Sequence, residues 1–140
     1  MPQTVLAFDF GHKRIGIAAG DTLTATAAPR PAAAVRQQGP DWDAIAREVK
    51  MLGPGLLVVG APYNADGSPG ALAPAARRFA AELERRFGLP VSMVDERWSS
   101  LEATAALKAQ RSSGERKRRV TKEDIDSAAA AVILERWLTG

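Results

Sequence analysis

The 140-residue chain has no cysteine and one histidine, His12. Without cysteine there are no disulfides, no thiolate zinc sites and no thiol nucleophile. A lone histidine also excludes imidazole-rich metal centres and most nucleophile–histidine–acid triads. No apolar run approaches the ~18 residues that a membrane-spanning helix needs. The opening residues 1–9 carry no basic region and break their short apolar stretch with Asp9, so no signal peptide is expected. These absences predict a cytoplasmic protein whose chemistry rests on carboxylates, hydroxyls, lysine, arginine or a bound metal. What remains, 46% hydrophobic and 25% charged, is ordinary for one globular domain spanning 1–140.

Uncompensated charge is concentrated in one place. Between Lys108 and Lys122 stand seven basic residues, Lys108, Arg111, Arg116, Lys117, Arg118, Arg119 and Lys122, against the single acid Glu115. The net charge of +3 is therefore a +6 segment on a body of −3. A concentrated basic stretch on a mildly acidic body is the footprint of a polyanion-binding protein, or else a solvated charged loop. Arg116 to Arg119 are expected to touch backbone phosphates rather than bases, because such runs position without reading sequence.

Patterning gives an α/β chain. Residues 5–10 and 15–19 are short, nearly continuous apolar runs around the turn Gly11-His12-Lys13-Arg14, and read as a hairpin of buried strands. A weak third strand is expected over 23–28, ended by Pro29 and Pro31, with 30–40 as loop. A helix is expected from Asp41 to Leu52, stopped by Gly53-Pro54-Gly55, then a buried strand over 56–60. An amphipathic helix over 71–87 ends at Gly88, and a third buried strand runs over 90–95. Ser99, Ser100 and Glu102 resemble a capping box opening a helix to about Lys108. The last helix starts after Thr121 and is rich in alanine. A leading hairpin followed by alternating helices and strands predicts a mixed sheet with helices on both faces.

Three carboxylates stand out. Alternation places Asp9 on one face of its strand with Val5 and Ala7, while Leu6, Phe8 and Phe10 take the other. A mid-sheet carboxylate is costly unless it is paired, here with Lys13, Arg14 or Arg97, or binds a cation. Glu96 follows the third buried strand, where open parallel sheets place ligands, and either joins Asp9 or pairs with Arg97. Asp126, at the start of the last helix, either complements the helix dipole or is brought to the sheet by the alanines that follow it. Glu123, three residues earlier, shares its face. Three carboxylates from different elements, with almost no histidine, suit Mg²⁺ or Mn²⁺. Two such ions would serve phosphodiester hydrolysis, with the basic segment recruiting the backbone. Lys13 and Arg14, in the turn after Asp9, would touch a phosphate or simply be solvated. Asn64 and Ser68 would line the groove or form an ordinary turn.

Four segments then resemble a known family. Leu6-Ala7-Phe8-Asp9-Phe10-Gly11-His12-Lys13-Arg14-Ile15-Gly16-Ile17-Ala18 is similar to the opening motif of the YqgF/RuvX family, a branch of the RNase H-like nucleases. The stretches beginning Val58-Val59-Gly60, Asp95-Glu96-Arg97 and Asp126-Ser127-Ala128 resemble its second, third and fourth motifs, in the family's order. Phe10, Tyr63 and Trp98 depart from the common pattern, but no carboxylate is lost. The resemblance implies an RNase H-like fold, a five-stranded mixed sheet flanked by helices on both faces. It implies a divalent-metal endonuclease with Asp9, Glu96 and Asp126 as catalytic and metal-binding acids, and Asp124 or Glu123 as a possible fourth ligand. The expected cofactor is two Mg²⁺ or Mn²⁺ ions, and the expected substrate is a Holliday junction or the 5′ end of precursor 16S rRNA. Junction resolution would call for a homodimer. The alternatives are a non-catalytic ribosome-assembly factor with a degenerate metal site and, on the Asp-x-Gly pattern, half of an actin-like ATPase.

Overall fold

The computed structural model describes residues 3–61, 72–95 and 122–139. Strand β1 (Thr4–Phe10) pairs antiparallel with β2 (Arg14–Asp21), forming the hairpin expected from the two apolar runs. Beyond β2 lie β3 (Thr26–Arg36) and the two-residue β4 (Gly39–Pro40), both antiparallel. On the other side of β1, β5 (Leu56–Ala61) and β6 (Val91–Asp95) run parallel to it. Among the described residues the sheet order is β4-β3-β2-β1-β5-β6, six strands rather than five.

The difference lies at the β3 end. Pro29 and Pro31 do not stop β3, which continues for 11 residues through both. Proline cannot donate to a ladder, but it is tolerated at sheet edges and bulges. Only Val35 and Arg36 pair with β4, so most of β3 lacks a partner strand on that side among the described residues. Between the pairs Ile15–Ala33 and Ile17–Arg30, β3 carries one more residue than β2, a bulge that takes in Pro31.

Among the described residues, three helices cover the two faces. Helix α1 (Trp42–Leu52) is capped by Asp41, whose side chain accepts from the Ala44 N–H, and ends at Gly53 in the left-handed region (φ 58°). Helix α2 (Ala73–Phe87) ends the same way at Gly88. Both bury their apolar sides against Leu6, Phe8, Phe10, Ile15, Ile17, Leu57 and Val59. Phe79 sits at the centre of this layer, with its ring 5.7 Å from Phe8, 5.2 Å from Phe10 and 5.4 Å from Trp42. Helix α3 (Lys122–Thr139) lies on the opposite face against Val5, Ala7, Ala18 and Val58. The split of β1 between the two layers is the one its alternation predicts. No described helix is long and apolar enough to cross a membrane.

Candidate active site

Asp9 is the penultimate residue of β1, half-buried, in the alternation that puts Val5 and Ala7 under α3. Across the sheet it is level with Gly16 of β2 on one side and Gly60 of β5 on the other, and Gly60 is level with Val94 of β6. Glycine on both flanks leaves the carboxylate with no neighbouring side chain in its own row. The row lies near the C-terminal ends of the three parallel strands, where open sheets place their ligands.

Helix α3 brings the second carboxylate to this row. Its residues Ala128 to Ala131 are all buried, and the small side chains let the helix lie close to the strands. The approach is closest at Gly16. A Cβ there would stand 1.9 Å from the Asp126 carbonyl oxygen and 2.9 Å from the Ser127 nitrogen. The backbone of Asp126 therefore rests directly on the residue opposite Asp9.

Ser127 holds the helix there. Buried to 3% exposure, its hydroxyl donates to the Arg30 carbonyl at 2.7 Å and accepts from the Ile17 N–H at 3.4 Å. These two groups belong to the register pair that borders the β2–β3 bulge on one side, so the hydroxyl bridges the sheet where its ladder is interrupted. Arg30 is held from the other layer as well. Its guanidinium makes a two-point contact with the buried Glu48 of α1, 2.6 Å and 3.2 Å. That hydrogen bond raises the Arg30 pKa further above its ordinary value.

Arg14, the first residue of β2, donates from Nε to Asp126 Oδ2 at 2.6 Å. Both side chains remain partly open, 27% and 29% exposed. Arg14, one of three cations expected near Asp9, thus meets Asp126, 112 residues away in sequence. Lys13 and His12 are exposed in the turn beside it.

Of the sequence-derived candidates, the structure brings together Asp9, Asp126 and Arg14. Glu96, Asn64, Ser68, Arg111, Arg116, Lys117, Arg118 and Arg119 lie outside the described residues, as does the helix expected over 99–108. For Lys122, Glu123 and Asp124 only the α3 backbone is described. Among the described residues no group of three metal-ligating side chains gathers. The two carboxylates present are hard oxygen donors and the chain's only imidazole is exposed in the turn, a donor chemistry that fits Mg²⁺ or Mn²⁺. Sequence reasoning passed over Gly16, Gly60 and Ser127 as functional positions. The signal available for the glycines was their place inside otherwise apolar strands, which marks close backbone approach.

A profile of the family described as "RuvX: Holliday junction resolvase" matches residues 3–140. The chain belongs to the RuvX family. Relatives extend over nearly its whole length. A Legionella pneumophila protein named "Putative pre-16S rRNA nuclease" is 44% identical over 139 residues, covering 99% of this chain and 97% of its own. Proteins of the same name from Xanthomonas oryzae (46%, covering 96% and 86%) and Escherichia coli O157:H7 (43%, covering 98% and 96%) are similar. Among solved structures, T. thermophilus RuvC in complex with a Holliday junction substrate superposes with a TM-score of 0.52 at 16% identity, covering 97% of this chain and 93% of that one. The yeast mitochondrial Holliday junction resolvase gives 0.53 at 10%, covering 96% and 77%. At these identities the likeness establishes the fold, which is the RNase H-like α/β fold of the RuvC-like resolvases. The RuvX chain keeps that fold with a sixth, two-residue strand at its edge.

Proposed function

We propose that this RuvX chain, acting as one domain in the cytoplasm, is a divalent-metal-dependent endonuclease that hydrolyses phosphodiester bonds in structured nucleic acid. The observation that carries the reading is the delivery of Asp126 by α3 onto the strand position directly opposite Asp9. Asp9 and Asp126 supply two ligands. Glu96, which the family resemblance names as the third, follows the strand whose Val94 lies in the row of Asp9. Glu123 and Asp124 stand on the same helix as Asp126 and are candidates for a fourth.

Two divalent cations held there supply positive charge and a nucleophilic water at neutral pH. The protein's part is to fix Asp9 and Asp126 on regular elements, a central strand and a helix held by Ser127. Water oxygen bonds to phosphorus as the bond to the 3′ oxygen breaks. The 3′ oxygen takes a proton, and the products are a 5′-phosphate and a 3′-hydroxyl. The segment with Arg111, Arg116, Lys117, Arg118, Arg119 and Lys122, together with Lys13, Asn64 and Ser68, contacts the substrate backbone. Both a four-way DNA junction and the 5′ region of precursor 16S rRNA, the substrates named for the family and for its relatives, offer such a backbone. A four-way junction needs two cuts related by a two-fold axis, and for that substrate the chain acts as a homodimer.

The test is cleavage of a synthetic four-way junction and of a 5′-extended rRNA precursor in Mg²⁺ or Mn²⁺, with Asp9→Asn as control. The expected result is cleavage of at least one substrate, abolished in the variant, with binding largely retained. Equal loss of cleavage and binding in a folded variant refutes the role of Asp9. Tight binding by the unmutated protein with no cleavage of either substrate favours an assembly factor with a degenerate site.

A further inference from the structure

The Arg14–Asp126 pair is unusual in its place. One partner is a proposed metal ligand, and the pair is neither buried enough to be a fixed core bridge nor exposed enough to be a solvated surface contact. Its backbone surroundings are rigid. Asp126 cannot withdraw as a unit, because its carbonyl already rests on Gly16 and the next residue is tied to both β2 and β3 through the Ser127 hydroxyl. Any change in what the Asp126 carboxylate binds must therefore occur by side-chain movement alone. Arg14 has the freedom to make that movement. It is the first residue of its strand, partly exposed, and next to the exposed Lys13 in the turn.

A carboxylate oxygen that accepts a guanidinium N–H at 2.6 Å has a donor in the position a cation would take. We propose that Arg14 is a resident counter-cation of the active site: it occupies Asp126 in the metal-free protein, gives the carboxylate up to the incoming divalent ion, and is thereby released toward the phosphate that the ion recruits. This inference rests on the assignment of Asp9 and Asp126 as metal ligands. Arg14 is a positioning residue in the empty site and a phosphate-contacting residue in the loaded one. Exchange of one cation for another keeps the carboxylate compensated in both states, so the site need not hold an unpaired half-buried anion before metal arrives. By linkage, whatever Arg14 contributes to the metal-free protein is subtracted from metal affinity.

The experiment measures Mn²⁺ binding without nucleic acid, by calorimetry or by electron paramagnetic resonance of free Mn²⁺. It compares the unmutated protein with Arg14→Gln, Arg14→Lys and Asp9→Asn, each first checked for folding by circular dichroism. Arg14→Gln is expected to tighten Mn²⁺ binding by about threefold to tenfold, the scale of a partly exposed ion pair together with the loss of a nearby positive charge. Arg14→Lys keeps the charge without the planar fork and falls between. In the presence of Mn²⁺, Arg14→Gln is also expected to bind a four-way junction more weakly than the unmutated protein does. Unchanged or weakened Mn²⁺ binding in Arg14→Gln, while Asp9→Asn abolishes it, overturns the exchange and leaves the metal site standing. No Mn²⁺ binding by the unmutated protein, or binding indifferent to Asp9→Asn, overturns the metal-site assignment itself and the exchange with it.

Discussion

Gly16→Ala is the smallest substitution that separates the two halves of the site. In the middle of a strand, replacing glycine by alanine ordinarily stabilises a protein by about 0.5–1 kcal/mol, because the unfolded chain has less freedom to lose. Here the added Cβ would stand 1.9 Å from the Asp126 carbonyl oxygen and 2.3 Å from its carbon, and both are backbone atoms that no rotamer change can move. To reach an ordinary contact of 3.4 Å, the end of α3 must retreat by about 1.5 Å. The Ser127 hydroxyl bond to the Ile17 N–H, already 3.4 Å long, is then lost, and the bond to the Arg30 carbonyl is stretched. Overpacking costs about 1–3 kcal/mol and the abandoned buried hydrogen bond about another 1 kcal/mol, so after the usual gain is subtracted the expected net destabilisation is about 1–3 kcal/mol. Urea unfolding followed by circular dichroism reads this as a lower midpoint at unchanged slope. Displacing Asp126 by that distance should also reduce cleavage by about 100-fold beyond any loss of folded protein. A Gly16→Ala protein as stable as the original would show that α3 does not rest on this strand, and the placement of Asp126 opposite Asp9 would fall with it.

Two further outcomes follow from contacts elsewhere. Ser127→Ala removes a hydroxyl that satisfies two backbone groups at the bulge, and is expected to cost about 1–3 kcal/mol in urea unfolding; a change below about 0.5 kcal/mol would mean that water replaces it there. Hydrogen bonds from Arg85 and then Arg86 hold the Glu82 carboxyl down at about 2, against an ordinary 4.5. A depressed carboxyl favours the folded state above its unfolded pKa and loses that advantage as pH falls through its folded value. The melting-temperature difference between the unmutated protein and Glu82→Gln should therefore narrow between about pH 4.5 and pH 2. A gap that stays constant over that range would show that the arginines do not hold Glu82 in solution.

How much was legible beforehand can be argued residue by residue. The period-two pattern of β1 assigned Asp9 to the face of Val5 and Ala7, and that is the face α3 covers. The Asp41 carboxylate and the left-handed backbone of Gly53 bound α1 where expected, because a cap is satisfied by atoms within four residues. The course of β3 through Pro29 and Pro31 was not legible. Proline is an obstacle only if its missing N–H is needed by a neighbouring strand, and that depends on where β3 falls in the sheet.

By itself, then, the sequence determined what local rules can decide: the hairpin, the capped helices, the face of the β1 residues and the absence of thiol chemistry in a chain without cysteine. The four motifs, in order along the chain, also carry the family resemblance. The tertiary structure alone decided which distant groups meet. Arg14 meets Asp126, Gly16 is the seat of a helix more than a hundred residues away, and Ser127 completes a broken ladder. Such pairings are set by how closely α3 settles on the sheet. That distance is fixed jointly by Gly16 and the buried alanines 128–131, packing partners that only the folded chain brings together.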